Sequence, residues 1–206
     1  MRGNAFVSGG LIPPARRGVK EPGLVSIEDW YSTFCGLAGA PVEDTRAAAA
    51  GLPPVDSLDL WPLLSGANST SPRTEVVLGI PTISSALSIG DPYLGVQAVI
   101  RSDGWKLVIG VTHQNVWTSP QYPNASSKWD NTPSDCGDGG CLYNVFTDES
   151  EYHDVAAANP DIVAALRARI THYNSTVYRP NRGTSDKEVA CPILLGKYGG
   201  FWGPWR

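Results

Sequence analysis

This chain of 206 residues predicts an α+β fold, with a small antiparallel sheet packed by one helix in its second half. Three observations lead there. Thr74 to Ile80 is apolar and β-branched, as a buried strand is. Asp103-Gly104 separates two apolar runs, Gly95–Ser102 and Trp105–Val111, and supplies the positive φ angles of a tight hairpin turn. Asn159-Pro160-Asp161 opens a stretch whose apolar residues recur at helical spacing.

Each element follows in chain order. Asn4-Ala5-Phe6-Val7-Ser8 reads as a short strand, ended by Gly9-Gly10 and Pro13-Pro14. A helix spans Ile27 to Ala38, with Ser26 as N-cap and Asp29 at the third helical position, the arrangement of a capping box. Trp30, Phe34, Leu37 and Ala38 share a helical stripe and should face a core. Gly39 and Pro41 end the helix. Residues 40–54 are linker, followed by a helical turn at Leu60–Ser65. The character then changes to strands, which places a subdomain boundary near residue 70 and divides the chain into 1–70 and 71–206.

A two-residue turn at Asp103-Gly104 sets Ile100 opposite Leu107 and Ala98 opposite Ile109. Val96, Ala98, Ile100, Trp105, Leu107, Ile109 and Val111 then share one side, with Arg101 and Lys106 on the other. A one-residue slip would reverse every one of these faces, so the register matters. Residues 112–140 form a long polar loop carrying His113, Trp117, Tyr122 and Trp129, and Cys141–Thr147 is the next strand. The helix over about 160–173 has Asn159 as cap and Ile162, Leu166, Ile170 and Tyr173 as its buried stripe, with Arg167 and Arg169 outward. A loop-rich, Trp-rich tail follows.

Composition excludes several classes of function. The net charge is −4 with no Lys/Arg run, so no clustered basic face for nucleic acid is expected. No apolar run approaches the roughly 20 residues of a membrane span. Seven tryptophans and 17 prolines suit a loop-rich extracellular domain. Met1-Arg2-Gly3-Asn4 does not resemble a secretory signal, yet N-x-S/T acceptors stand at Asn68, Asn124 and Asn174. They are glycan sites or plain polar loop residues. An exported parent whose front is missing would reconcile these signs.

The four cysteines fit that view. Cys136 and Cys141 flank Gly137-Asp138-Gly139-Gly140, which can close a small disulfide ring; a zinc site would need a second Cys/His pair that is lacking. Cys35 reads as a buried thiol, and Cys191 as unpaired, with any partner upstream. Asp148, Glu149 and Glu151 read as a solvated acidic turn rather than a cation site, because glycine and periodic oxygen ligands are absent. His153 and His172 read as turn and helix-surface residues.

One series of segments carries a resemblance. Ser26-Ile27-Glu28-Asp29-Trp30, Leu58-Asp59-Leu60-Trp61, Gly104-Trp105-Lys106-Leu107, Glu151-Tyr152-His153-Asp154 and Gly199-Gly200-Phe201-Trp202-Gly203-Pro204-Trp205 occur in the order of the C-terminal part of a type I sulfatase. Asp56 to Trp61 is similar to that family's Asp-Gly-x-Asp-hydrophobic-Trp segment, with Ser57 where glycine is usual. Ser71-Pro72-Arg73 matches the Pro-Arg before its C-terminal sheet. Glu149-Ser150-Glu151 departs from a Pro-containing pattern. The tail favours the arylsulfatase B (N-acetylgalactosamine-4-sulfatase) branch.

The resemblance implies that residues 1–70 are the final strand and helix of an alkaline-phosphatase-like α/β domain, and 71–206 the C-terminal sheet subdomain. It implies a sulfuric ester hydrolase acting on sulfated sugars, using a calcium ion and a formylglycine made from the cysteine of Cys-x-Pro-x-Arg. It also implies a secreted or lysosomal parent enzyme and a missing N-terminal sulfatase domain as partner. Neither Cys35 nor Cys191 lies in such a motif, so no catalytic residue, metal ligand or cofactor is assigned to this chain. Because the family's C-terminal subdomain lies beside the active-site mouth, His113 and Trp117 are candidates for a sugar-binding rim, against ordinary loop packing. The resemblance also implies that Val7, Trp30 and Phe34 form an exposed apolar patch in this chain alone, because their partner sheet is elsewhere. The competing reading is an independent, non-catalytic carbohydrate-binding module.

Overall fold

The computed structural model describes residues 3, 5–80, 96–112, 134–177, 187–201 and 203. A four-stranded antiparallel sheet has the order β1 (Glu75–Gly79), β2 (Gln97–Arg101), β3 (Trp105–Ile109), β6 (Cys141–Asn144). A two-stranded ribbon of β4 (Val111–Thr112) and β5 (Ser134–Asp135) extends from the end of β3. Helices α1 (Asp29–Ala38), α2 (Thr45–Ala49) and α3 (Trp61–Ser65) precede the sheet, while α4 (Pro160–Thr176) and α5 (Lys187–Gly196) follow it. The fold is α+β, with α4 packed across β2 and β3.

The hairpin forms where the sequence places it, but its register differs. The partners are Ile100 with Lys106, Val99 with Leu107 and Ala98 with Val108. Gly104 adopts φ 89°, and its N–H donates to Arg101 O at 2.9 Å, so the loop is Ser102-Asp103-Gly104. A three-residue loop ending in a left-handed glycine moves one strand by a residue relative to a two-residue turn. Val99 therefore joins Leu107 and Ile109 on the α4 side, while Ala98, Ile100 and Lys106 turn to the opposite face. Arg101 and Lys106 do not share a side.

The main core comprises Val99, Leu107, Ile109, Leu142, Leu166 and Ile170, with Trp105, Ile162 and Val163 packed around it. Burying each of these large aliphatics stabilises the fold by about 1.5–3 kcal/mol. A second cluster on the opposite face joins Cys136, Cys141 and Tyr143, with Val108 against it.

Other expectations are corrected. Residues 5–8 are not a strand; Phe6 and Val7 are exposed, and among the described residues no strand pairs with them. A lone extended segment has no ladder to satisfy its backbone. β6 stops at Asn144, whose side chain accepts from Phe146 N–H at 3.1 Å and turns the chain. α4 continues to Thr176, and the Asn159 amide donates to Val155 O at 2.9 Å instead of capping the helix. Cys191 sits in α5 rather than in a loop, where it is exposed and unbonded.

The stripe of α1 that helical spacing turns toward a core is largely exposed, as the sulfatase resemblance implies for this chain alone. Phe34 and Leu37 do not face a core but are exposed, as are Ile27 just ahead of the helix and Tyr31. Its buried residues are Asp29, Ser32 and Thr33. The helix is packed by its polar side.

Candidate functional site

Asp29 explains that inversion. Its side chain is fully buried and accepts from Ser26 N–H at 2.9 Å, Leu58 N–H at 3.0 Å and Arg73 Nε at 2.7 Å. Arg73 Nη2 also bonds Asp29 Oδ1 and donates to Asp56 O at 2.8 Å. The fork of the guanidinium meets both carboxylate oxygens, the strong bidentate form of an ion pair. Burial pushes the Asp29 carboxyl up, but the bonds from Arg73, Ser26 and Leu58 outweigh it and hold the group below the usual carboxylate range. The same partner holds Arg73 above its ordinary value.

Around this pair, the 57–60 segment is laced onto α1. Ser57 Oγ accepts from Ser32 N–H at 2.8 Å, and Ser32 Oγ donates to Ser57 O at 3.0 Å. Thr33 Oγ1 donates to Asp29 O at 2.8 Å and accepts from Leu60 N–H at 2.9 Å. The serine at position 57 therefore does work a glycine could not. Ser71 Oγ donates to Leu24 O at 2.6 Å, adding a further tie between the start of the sheet region and the chain ahead of α1.

Two further polar clusters hold the sheet region. Lys106 Nζ, nearly buried, bonds both oxygens of Glu151 at 2.7 and 2.6 Å. Glu151 has φ 57°, the left-handed region, which costs a non-glycine residue about 1–2 kcal/mol. Glu151 is thus not part of a solvated turn; it anchors the Gly-Trp-Lys hairpin. On the α4 side, Glu75 Oε1 accepts from Tyr173 Oη at 2.5 Å and Arg169 Nε at 2.8 Å. Burial raises the Glu75 pKa, yet these donors bring it below the ordinary value. Arg169, expected to face outward, instead clamps α4 to β1. Arg167 Nη2 donates to the carbonyls of Asp138 and Gly139 at 2.6 and 2.7 Å.

Of the sequence-predicted site residues, Cys136 and Cys141 are joined in a disulfide with Cα atoms 5.0 Å apart. Asn68 is exposed past the end of α3. Asn174 is half-buried within the last turns of α4, not in a loop. His113, Trp117 and Asn124 lie outside the described residues, as do Trp202 and Trp205 of the tail. The His153 side chain is 83% exposed, and His172 is exposed on α4. Cys35 is half-buried.

Among the described residues, no three His, Cys, Asp or Glu side chains converge as a metal ion requires. Cys35 is followed by Gly36-Leu37-Ala38-Gly39 and Cys191 by Pro192-Ile193-Leu194-Leu195, so neither fits Cys-x-Pro-x-Arg. These residues do not fit a calcium or formylglycine centre. The described chemistry is that of mutually satisfied ion pairs beside an uncovered apolar helix face.

No family model matches the chain. Arylsulfatase J of Mus musculus is 29% identical to it over 216 residues, an alignment covering 100% of this chain and 34% of that protein. The similarity is to a sulfatase. The chain thus spans about a third of the length of the curated relative it matches. Among solved structures, a Bacteroides thetaiotaomicron protein of a locus for metabolism of multiple glycosaminoglycans gives a TM-score of 0.40 at 19% identity, covering 71% of this chain and 24% of that one. Ps i-CgsB in complex with k-i-k-neocarrahexaose gives 0.43 at 18% identity, covering 84% and 29%. At those scores neither bears on the chemistry of this chain. No described helix is long and apolar enough to cross a membrane.

Proposed function

We propose that this chain is the C-terminal portion of an arylsulfatase-like sulfuric ester hydrolase acting on sulfated sugars, nearest the arylsulfatase B branch. It buttresses a catalytic part encoded ahead of it and cleaves no ester by itself. The observation that carries this reading is the similarity to a sulfatase along the whole chain, which leaves two-thirds of that enzyme without a counterpart.

The inversion of α1 supports the same reading. A helix that buries Asp29, Ser32 and Thr33 while exposing Tyr31, Phe34 and Leu37 is amphipathic toward something outside these residues. Apolar faces of this kind mark surfaces covered by another part of a protein. In this proposal the formylglycine and calcium belong to the upstream part. The parent enzyme is secreted or lysosomal, and the Cys136–Cys141 disulfide suits such an oxidising compartment.

The test is sulfate release from an aryl sulfate, measured for the 206-residue chain and for a version extended upstream with its own coding sequence. Release only by the extended protein is expected, together with Cys-x-Pro-x-Arg in the added segment. Turnover by the 206-residue chain alone would overturn the proposal. A soluble, cooperatively folding monomer that binds sulfated glycans and has no sulfatase sequence upstream would favour the independent module instead.

A further inference from the structure

Three acceptor sequences look equivalent in the amino-acid sequence, but the two within the described residues occupy opposite environments. We infer that Asn68 is a site of N-linked glycosylation and that Asn174 is not. A glycan needs an acceptor on a surface segment, with room for a bulky, solvated oligosaccharide.

Asn68 meets this requirement. The chain leaves α3 through Gly66 at φ 83°, and residues 66–70 are all exposed. The Asn68 backbone N–H donates to Pro62 O at 2.8 Å, which fixes the turn, while its side-chain amide makes no bond to another described residue. The hydroxyl of Thr70, the third residue of the acceptor, is likewise not engaged by other described residues. Nothing in the described fold has to open for this tripeptide to enter an enzyme's cleft or to carry a sugar.

Asn174 fails on two counts. It lies four residues past Ile170, which is itself four past Leu166, and so continues the inward stripe of α4. It is half-buried there, beside Tyr173, whose hydroxyl is bonded to Glu75. The hydroxyl it would need is spent on the helix: Thr176 Oγ1 donates to Tyr173 O at 3.3 Å. A sugar on this position would have to grow from a half-buried helical residue next to the Tyr173–Glu75 bond. The distinction is read from helical phase and burial, neither of which the tripeptides reveal.

The experiment fuses a secretion signal to the 206-residue chain and expresses it in eukaryotic cells, which makes the outcome independent of whether the chain is part of a sulfatase. Site occupancy is read by mass spectrometry of the unsubstituted protein after N-glycosidase treatment. Occupancy at Asn68 at least about tenfold above that at Asn174 is expected for a surface acceptor against a packed one. In an Asn124→Gln background, Asn68→Gln should abolish the glycosidase-sensitive mobility shift, and Asn174→Gln should leave it. An unmodified Asn68 in the secreted protein, or occupancy at Asn174 equal to it, would overturn the inference.

Discussion

Replacing Asp29 by alanine should be among the most damaging single changes available in this chain. The substitution removes a carboxylate that answers Arg73 and two backbone N–H groups, those of Ser26 and Leu58. Breaking a buried ion pair from one side costs roughly 3–5 kcal/mol, because the remaining charge stays out of water. Arg73→Met removes the other partner but leaves Asp29 with its two backbone donors, so its cost should be smaller, about 2–3 kcal/mol. Urea unfolding followed by tryptophan fluorescence reads both. With a slope near 2 kcal/mol per molar urea, Asp29→Ala should lower the midpoint by roughly 1.5–2.5 M. The depressed Asp29 pKa sets the pH dependence. Its stabilisation is fully present above the unfolded carboxylate value of about 3.9 and is lost as pH falls through the lower folded value. The gap between wild type and Asp29→Ala should therefore be wide at neutral pH and narrow below about pH 4. A midpoint shift under about 0.5 M at pH 7, or a larger loss for Arg73→Met than for Asp29→Ala, would refute the view that this pair organises the first seventy residues.

Three other outcomes follow from the same geometry. Glu151→Gly and Glu151→Ala both lose the bond to Lys106, but glycine accepts φ 57° without strain, so thermal melts should place the glycine variant about 1 kcal/mol above the alanine variant. Replacing both Cys136 and Cys141 by serine should cost about 2 kcal/mol, the chain-entropy value for so short a ring, and thiol titration of the unfolded, unreduced wild type should find Cys35 and Cys191 alone. Phe34→Asp should change the stability of the isolated chain by less than about 0.5 kcal/mol while reducing its self-association in light scattering, since the ring is exposed on α1.

The elements whose information is local were legible in the sequence. Asp103-Gly104 located the hairpin, and Leu166 with Ile170 identified the buried side of α4. The spacing of Cys136 and Cys141 gave the ring. What was not legible depended on distance or on one residue of loop length. Whether Ser102 belongs to the turn decides if Val99 or Ala98 faces α4, and both are apolar, so the pattern tolerates either register. The apolar stripe of α1 was visible, but not the direction of its core. That direction is set by Arg73, which is 44 residues beyond Asp29 in the chain. Ser26 and Asp29 suggested only a local cap, and half of that cap forms: Ser26 N–H reaches Asp29 at 2.9 Å, while Ser26 Oγ bonds Glu28. Lys106 and Glu151 were separately visible in the quoted segments. Their contact required β3 to be paired with β6 first.

The pairing of Val111 with Asp135 and of Thr112 with Ser134 has a consequence for how the chain can vary. The polypeptide departs and returns side by side, with Gly110 N–H donating to Gly137 O at 3.0 Å and Cys136 N–H to Gly110 O at 3.1 Å just behind that point. The closure entropy of the intervening span therefore grows slowly with its length, by about 0.6 kcal/mol for each doubling. Whatever its length, a span joining Thr112 to Ser134 starts and ends at neighbouring points of the same ribbon.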